Sequence, residues 1–262
     1  MEKYFGFAKE LMDKGLAKEC SFYEDNKNYD HTIEMTEDIP FYLSLAKVNP
    51  GKVLDIGCGT GRVMAPLLKE GIETVGMDLS EDMLTIAKSK LLKLHSDPRL
   101  VQGDMKDFEI PGPFSLIIIP NFSMIYIHSD TDRKRVFKCI YKHLAPGGKL
   151  AFDFDASVET PETSKPWLSL QHVDHLSGEI TIQTAQRKVS SKNQRLMNII
   201  SYTYKKVETL ITAESVLEST CSAVHMKSIL EQEGFVVEGL YSNYQHRPYD
   251  TGEVCVVVAK KA

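Results

Sequence analysis

Through the middle of the chain, short apolar runs alternate with segments whose apolar residues recur at helical spacing. The runs at residues 52–56, 74–77, 100–102, 114–119 and 149–154 predict β-strands, and the segments at 62–70, 81–94 and 131–144 predict amphipathic helices between them. Strand, helix, strand, repeated, predicts a parallel sheet with helices on both faces, because parallel neighbours need a crossover to connect them. The turn Ala145-Pro-Gly-Gly stops the third of these helices and opens the last strand.

The flanks have a different rhythm. The N-terminal stretch is charged and helical in pattern, with Phe5, Phe7, Leu11, Met12 and Leu16 on one apolar face, until 21–28 breaks it. A second helix is expected to start at Thr36 as N-cap, with Glu37 and Asp38 in its first turn and Phe41, Leu43, Leu45 and Ala46 to bury. After Asp155 a polar stretch with Pro161, Pro166 and Trp167 precedes runs at 179–189, 197–207 and 210–217, rich in Ile, Thr, Tyr and Val. These read as antiparallel strands, the first two joined by a polar turn at 190–193. A helix at 225–233 and strands at 235–241 and 253–259 return to the main sheet. The expected organisation is 1–155 as N-terminal cap and α/β core, 156–220 as a small antiparallel β cap over the substrate, and 221–262 completing the core.

With 262 residues, 42% hydrophobic and 26% charged, the chain is long enough for one substantial core. No run reaches the ~20 apolar residues of a membrane-spanning helix, and the start Met1-Glu-Lys-Tyr-Phe-Gly lacks the basic-then-apolar order of a signal peptide. The five cysteines are scattered, without a CxxC pair, so free thiols and a reducing, cytoplasmic setting are expected. A net charge of -5 argues against a nucleic-acid partner, whose phosphates demand clustered Lys and Arg. The pairs Arg187-Lys188 and Lys205-Lys206 read as solvated positions.

The most informative segment is Val53-Leu-Asp-Ile-Gly-Cys-Gly-Thr-Gly-Arg62, an apolar strand running into three glycines before a helix. Glycines at 57, 59 and 61 let the backbone turn sharply and approach a ligand closely. Asp55 places a carboxylate where a cationic amino group can be bound. Asp78 closes the next strand, the position from which an acid reaches ribose hydroxyls, a feature that NAD-binding sheets share. Asp104 ends the third strand, suited to an adenine amino group, with Met105 able to pack on the base.

This set resembles the class I S-adenosylmethionine (SAM)-dependent methyltransferases. Val53 to Arg62 is similar to their first motif, and Asp78-Leu-Ser-Glu-Asp-Met83 to their ribose strand and following helix. Gly103-Asp-Met-Lys-Asp-Phe108 is similar to their adenine loop, and Leu144-Ala-Pro-Gly-Gly-Lys149 to the turn before their fifth strand. The resemblance implies a Rossmann-like α/β fold with a mostly parallel seven-stranded sheet, SAM as cofactor and S-adenosylhomocysteine as product. Within the class, Ser80 to Leu84, Gln102 to Phe108 and the strand-rich insertion resemble small-molecule N-methyltransferases, of nucleotide-sugar amines and of glycine. Tyr244 to Asp250 resembles the tail of peptide N-terminal methyltransferases.

By that resemblance Gly57, Cys58, Gly59 and Gly61 surround the methionine tail, and Asp55 holds its amino group directly or through water. Asp78, with Leu79 and Met83, meets the ribose; Asp104 and Met105 frame adenine. Pro120 and Asn121 sit beside the sulfonium and the acceptor. Tyr29 is similar to the tyrosine these enzymes fold over the cofactor, which makes Tyr29 and Asn121 the candidate catalytic residues. The implied partner is a small-molecule acceptor, with a homodimer as the assembly to consider and no membrane.

Other positions weigh less. Asp153 and Asp155 are two apart on a strand and so share a face, available to orient an amine or to bind Mg2+. His225 and His246 are candidate bases, with His225 also a candidate substrate contact. His172 and His175 lack partners at zinc spacing, and no metal is expected. Cys58 reads as a packing residue, and Trp167, Tyr202 and Tyr204 as candidate walls of the acceptor pocket. N-methylation of a small amine leads; O-methylation, an NAD(P)-dependent oxidoreductase and a non-catalytic SAM-binding regulator stay open.

Overall fold

A computed structural model describes residues 2–21, 30, 36–94, 97–157, 163–191 and 193–262. By internal contact the chain divides into two compact units, Met1–Glu34 with Glu159–Glu218, and Met35–Val158 with Ser219–Ala262. The N-terminal stretch, expected to belong with the core, thus groups with the β-rich insertion.

The larger unit is built on a seven-stranded sheet in the order β11-β12-β6-β5-β2-β3-β4. Its strands are β2 (Val53–Ile56), β3 (Thr74–Asp78), β4 (Arg99–Gln102), β5 (Phe114–Ile119), β6 (Leu144–Asp155), β11 (Phe235–Tyr241) and β12 (Val254–Lys261). β6, β5, β2, β3 and β4 run parallel, and β12 pairs antiparallel with both β6 and β11. Every residue of β2 and β3 is buried, as expected of strands covered on both faces.

Alternation along each strand sorts the core into two layers. Leu54, Ile56, Ile117, Ile119, Phe152 and Phe154 pack under α5 (Asp130–His143) and α6 (Ala223–Gln232), which contribute Val136, Phe137, Ile140, Met226 and Leu230. Val53, Leu116, Ile118 and Ala151 pack under α2 (Asp38–Val48) and the start of α3 (Met64–Lys69), through Phe41, Tyr42, Leu45 and Leu67. Each such side chain, fully buried, stabilises by about 1.5–3 kcal/mol. The acids Asp55, on β2, and Asp153 and Asp155, on β6, alternate with the first layer and therefore lie on the α2 side.

Serine caps define where helices begin. Ser80 accepts from the Met83 N–H ahead of α4 (Glu81–Leu91), Ser129 from Asp132 ahead of α5, and Ser222 from His225 ahead of α6. Four starts differ from expectation, α5 beginning at Asp130 rather than Thr131 and α6 at Ala223 rather than His225. α2 is preceded by Glu37 rather than Thr36 and has no side-chain cap. α3 begins at Met64 rather than Arg62, because the positive-φ glycines prolong the turn.

The smaller unit holds a five-stranded sheet in the order β1-β10-β9-β8-β7, from β1 (Lys18–Glu19), β7 (Trp167–Val173), β8 (Ile180–Ser191), β9 (Gln194–Tyr204) and β10 (Thr209–Ser219). β8 pairs antiparallel with β7 and β9, and β1 pairs parallel with β10. Helix α1 (Gly6–Asp13) sets Ala8 and Leu11 against Ile200 and Ala213, and Tyr202 packs on that same cluster. Tyr202 is therefore a packing residue. β7 lies in the stretch expected to be irregular: only Leu170 of it is buried, so this edge strand carries no alternation to read.

Candidate active site

The carboxyl ends of β2, β3, β4, β5 and β6 carry the residues that matter. After β2 the backbone takes three left-handed steps, at Gly57 (φ 68), Gly59 (φ 52) and Gly61 (φ 82). A side chain at Gly57 would collide with Ser123, whose Oγ lies 2.8 Å from the place of its Cβ, and one at Gly61 would press on Leu91. The Gly57 and Cys58 N–H groups donate to the Met77 carbonyl at 2.7 and 3.0 Å, which ties the turn to β3. Cys58 itself is buried, its thiol pushed well above its usual range by burial, and its Sγ would lie 2.9 Å from a Cβ on Gly76. It packs.

Asp55 is 1% exposed, and neither carboxylate oxygen has a hydrogen-bond partner among the described residues. A buried, unpaired carboxylate is costly, so its proton affinity rises. Burial pushes the Asp55 pKa up to about 8, with Asp78 and Asp38 adding to the rise and Arg62 opposing it. Arg62 makes a bidentate pair with Asp38, at 2.7 and 2.6 Å, and Asp38 is fully buried at the first turn of α2. In the sequence Asp38 has the place of a helix-start acid, and its link to Arg62 comes only from the fold.

Asp78 accepts from the Gly59 N–H at 2.8 Å through one oxygen and from the Ser80 N–H at 2.9 Å through the other. Each oxygen keeps a further lone pair. Leu79 beside it is 68% exposed, whereas Met83 is 1% exposed and offers no surface to a ligand, a correction to its expected contact. Asp104, half-exposed, bonds the Lys106 N–H and pairs with the Lys106 ammonium at 3.3 Å, and Met105 packs against the core beside it.

After β5, Pro120 is buried, and Asn121 and Phe122 both adopt φ 58. The Asp153 carboxylate accepts from both their N–H groups and from the Tyr42 hydroxyl at 2.7 Å. The Asp153 charge raises the proton affinity of Tyr244, whose hydroxyl burial already pushes well above its usual range. Burial raises the Asp153 pKa to about 6, with these hydrogen bonds opposing. Asp153 is 0% exposed and occupied on all sides, so its expected contact with an acceptor amine or Mg2+ gives way to an internal role. Asp155 is buried too and accepts from the N–H and hydroxyl of Ser157.

His225 bonds Asp130 at 2.8 Å at the paired starts of α6 and α5. His246 lies against Phe41 and Tyr241, with ring centroids at 5.1 and 5.0 Å. Tyr204 is 42% exposed, and Trp167 carries the Arg187 guanidinium over its ring at 5.3 Å. Tyr29 lies outside the described residues. The residues that sequence reasoning missed are Tyr42 and Asp38; both looked like ordinary members of a core helix.

The features present suit SAM: a bare-backbone cradle that a Cβ would fill, beside a buried acid lacking a partner. Residues 53–148 match the methyltransferase domain family. Over 96 residues the chain is 38% identical to the dTDP-3-amino-3,4,6-trideoxy-alpha-D-glucopyranose N,N-dimethyltransferase of Streptomyces venezuelae, covering 37% of this chain and 39% of that protein. The first relatives matched are covered over 45, 39 and 41% of their own length, so the chain spans less than half of each. The cypemycin N-terminal methyltransferase of a Streptomyces species is 22% identical over 80% of this chain and 83% of its own. Among solved structures, an S-adenosylmethionine-dependent methyltransferase from Clostridium acetobutylicum superposes with a TM-score of 0.74 at 19% identity, over 92% of this chain and 99% of its own. No helix among the described residues is long and apolar enough to cross a membrane. Residues 53–148 are thus similar to a methyltransferase domain, and the chain has the Rossmann-like fold of a SAM-dependent methyltransferase.

Proposed function

We propose that this chain transfers a methyl group from SAM to an amine nitrogen of a small molecule, with amino sugars as the leading acceptor class. The observation that carries the reading is the pairing of left-handed Gly57, Gly59 and Gly61 with the buried carboxylate of Asp55, which has no hydrogen-bond partner among the described residues. Two relatives, a dTDP-amino-sugar N,N-dimethyltransferase and the cypemycin N-terminal methyltransferase, support the choice of nitrogen.

Bound SAM supplies a methyl group on a cationic sulfur, whose charge disappears as the methyl leaves. The chain's own work is to bind, align and exclude water. The bare backbone of the glycine turn admits the methionine tail, and Asp55 takes its ammonium group, directly or through water. Asp78 keeps lone pairs for the ribose hydroxyls, Leu79 lies beside it, and Asp104 and Met105 frame adenine. Pro120 and Asn121 border the acceptor. A neutral amine brings its own lone pair and needs no dedicated base, which agrees with His225 and His246 being engaged elsewhere.

The location is assigned to the cytoplasm, where cysteine thiols stay reduced. The test is label transfer from methyl-labelled SAM to a panel of nucleotide-linked amino sugars, amino acids and peptides with free N-termini. N-methylated product with stoichiometric S-adenosylhomocysteine is the expected outcome. Label on oxygen, or no affinity for SAM at all, overturns the reading.

A further inference from the structure

Two successive non-glycine residues in the left-handed region are unusual, and here they are Asn121 and Phe122, both at φ 58. Such a turn persists only where its surroundings hold it. It also borders the cofactor cradle, because Ser123, anchored to the Pro120 carbonyl at 2.9 Å, is the residue a Gly57 side chain would strike.

What holds the turn is one carboxylate. Asp153 accepts from the N–H groups of both strained residues and is itself gripped by the hydroxyl of Tyr42, on α2, with Tyr244, in the loop after β11, coupled to its charge. It reaches across from β6, the strand next to β5, and is fully buried.

We propose that Asp153 is a positioning residue for methyl transfer: its ionised carboxylate fixes the backbone of Asn121 and Phe122, and through them the wall of the site between cofactor and acceptor. This rests on the methyltransferase reading above. The two N–H groups bond different oxygens, so protonation of either oxygen sets an O–H against one of them, and both are held only while the acid is charged. The titratable groups facing it are Tyr42 and Asp38 from α2, the latter paired with Arg62, and Tyr244. β12 presents Val256 at its register, and β5 ends at Ile119 opposite the neighbouring Phe152, so neither strand sets a charge beside it. Its raised pKa, about 6, places the loss of the hold just below neutrality.

The test uses the full-length chain. In Asp153→Asn, the amide can no longer accept from both backbone donors. Hydrogen exchange read by mass spectrometry over residues 120–123 is expected to quicken at least tenfold, kcat to fall at least tenfold, and the Kd for SAM to move less than threefold. In Tyr42→Phe, which removes a donor to the charged acid, the acidic limb of the kcat profile is expected to move upward in pH. A purely structural role would leave that limb in place.

Unchanged exchange at Asn121 and Phe122 in a folded Asp153→Asn chain overturns the inference, as does wild-type kcat in that variant. If Asp153→Asn does not fold, an unmoved acidic limb in Tyr42→Phe overturns it instead. Absence of SAM binding or turnover in the unaltered chain defeats the methyltransferase reading separately, and the exchange measurement still decides whether Asp153 holds the turn.

Discussion

The Asp78 carboxylate and the Gly59 N–H are joined by a 2.8 Å hydrogen bond, so the acid that ends β3 fixes the glycine turn that ends β2. Its other oxygen holds the start of α4 through the Ser80 N–H. One side chain thus shapes the cradle and faces the site proposed for the nucleoside.

Asp78→Ala removes both bonds. Hydrogen bonds to a charged group are worth about 1.5–3 kcal/mol, so SAM affinity is expected to fall about 100-fold, since each factor of ten is about 1.4 kcal/mol. Calorimetric titration checks this; a Kd within threefold of the unaltered chain would detach Asp78 from the cofactor.

Gly57→Ala tests the cradle. At φ 68 an L-residue costs about 1–2 kcal/mol, and the new Cβ meets Ser123 at 2.8 Å. A drop in thermal midpoint of several degrees is expected, together with a larger loss of SAM affinity, because the displaced backbone is the part that approaches the ligand.

Much of this was legible from the sequence. The central strands announced themselves as unbroken apolar runs because both their faces are covered, and the glycine turn and the acids at 55, 78 and 104 follow from local spacing. The hold on Asn121 and Phe122 was not legible. Asp153 and Tyr42 are 111 residues apart in the chain, and only the sheet order brings them within 2.7 Å. For the same reason Asp153 read as a free acid at a strand end. Met83 has the residue type and place of a cofactor contact, but the turn of α4 points it into the core. β7 escaped notice because an edge strand with one buried residue has no pattern, and β1 because two residues are too few to form one.

Asp55 makes stability depend on pH. Its folded pKa, about 8, lies above the ordinary value of 3.8, so the folded chain binds a proton that the unfolded chain releases between those values. Its contribution to stability is fully present below about pH 4 and is lost as pH rises through about 8, at a limiting slope on the order of 1 kcal/mol per pH unit. Asp55→Asn should flatten that slope. Thermal melts from pH 5 to 9 with and without the substitution check it, and equal slopes would contradict the assignment.

In the antiparallel unit, Arg195 and Glu218 form a buried pair at 2.6 Å, with Arg187 3.6 Å from the same carboxylate. Glu218→Ala strands buried positive charge and is expected to cost about 3–5 kcal/mol in chemical denaturation. A cost below about 1 kcal/mol would show the pair to be solvated.

The most direct test of the central claim is calorimetric titration of SAM and S-adenosylhomocysteine into the unaltered chain and into Asp55→Asn at pH 8. Saturable one-site binding of both ligands is expected in the unaltered chain, with SAM affinity at least tenfold weaker once the carboxylate is gone. No heat with either ligand, or equal affinity in both chains, would contradict the assignment of the glycine turn and Asp55 to the cofactor.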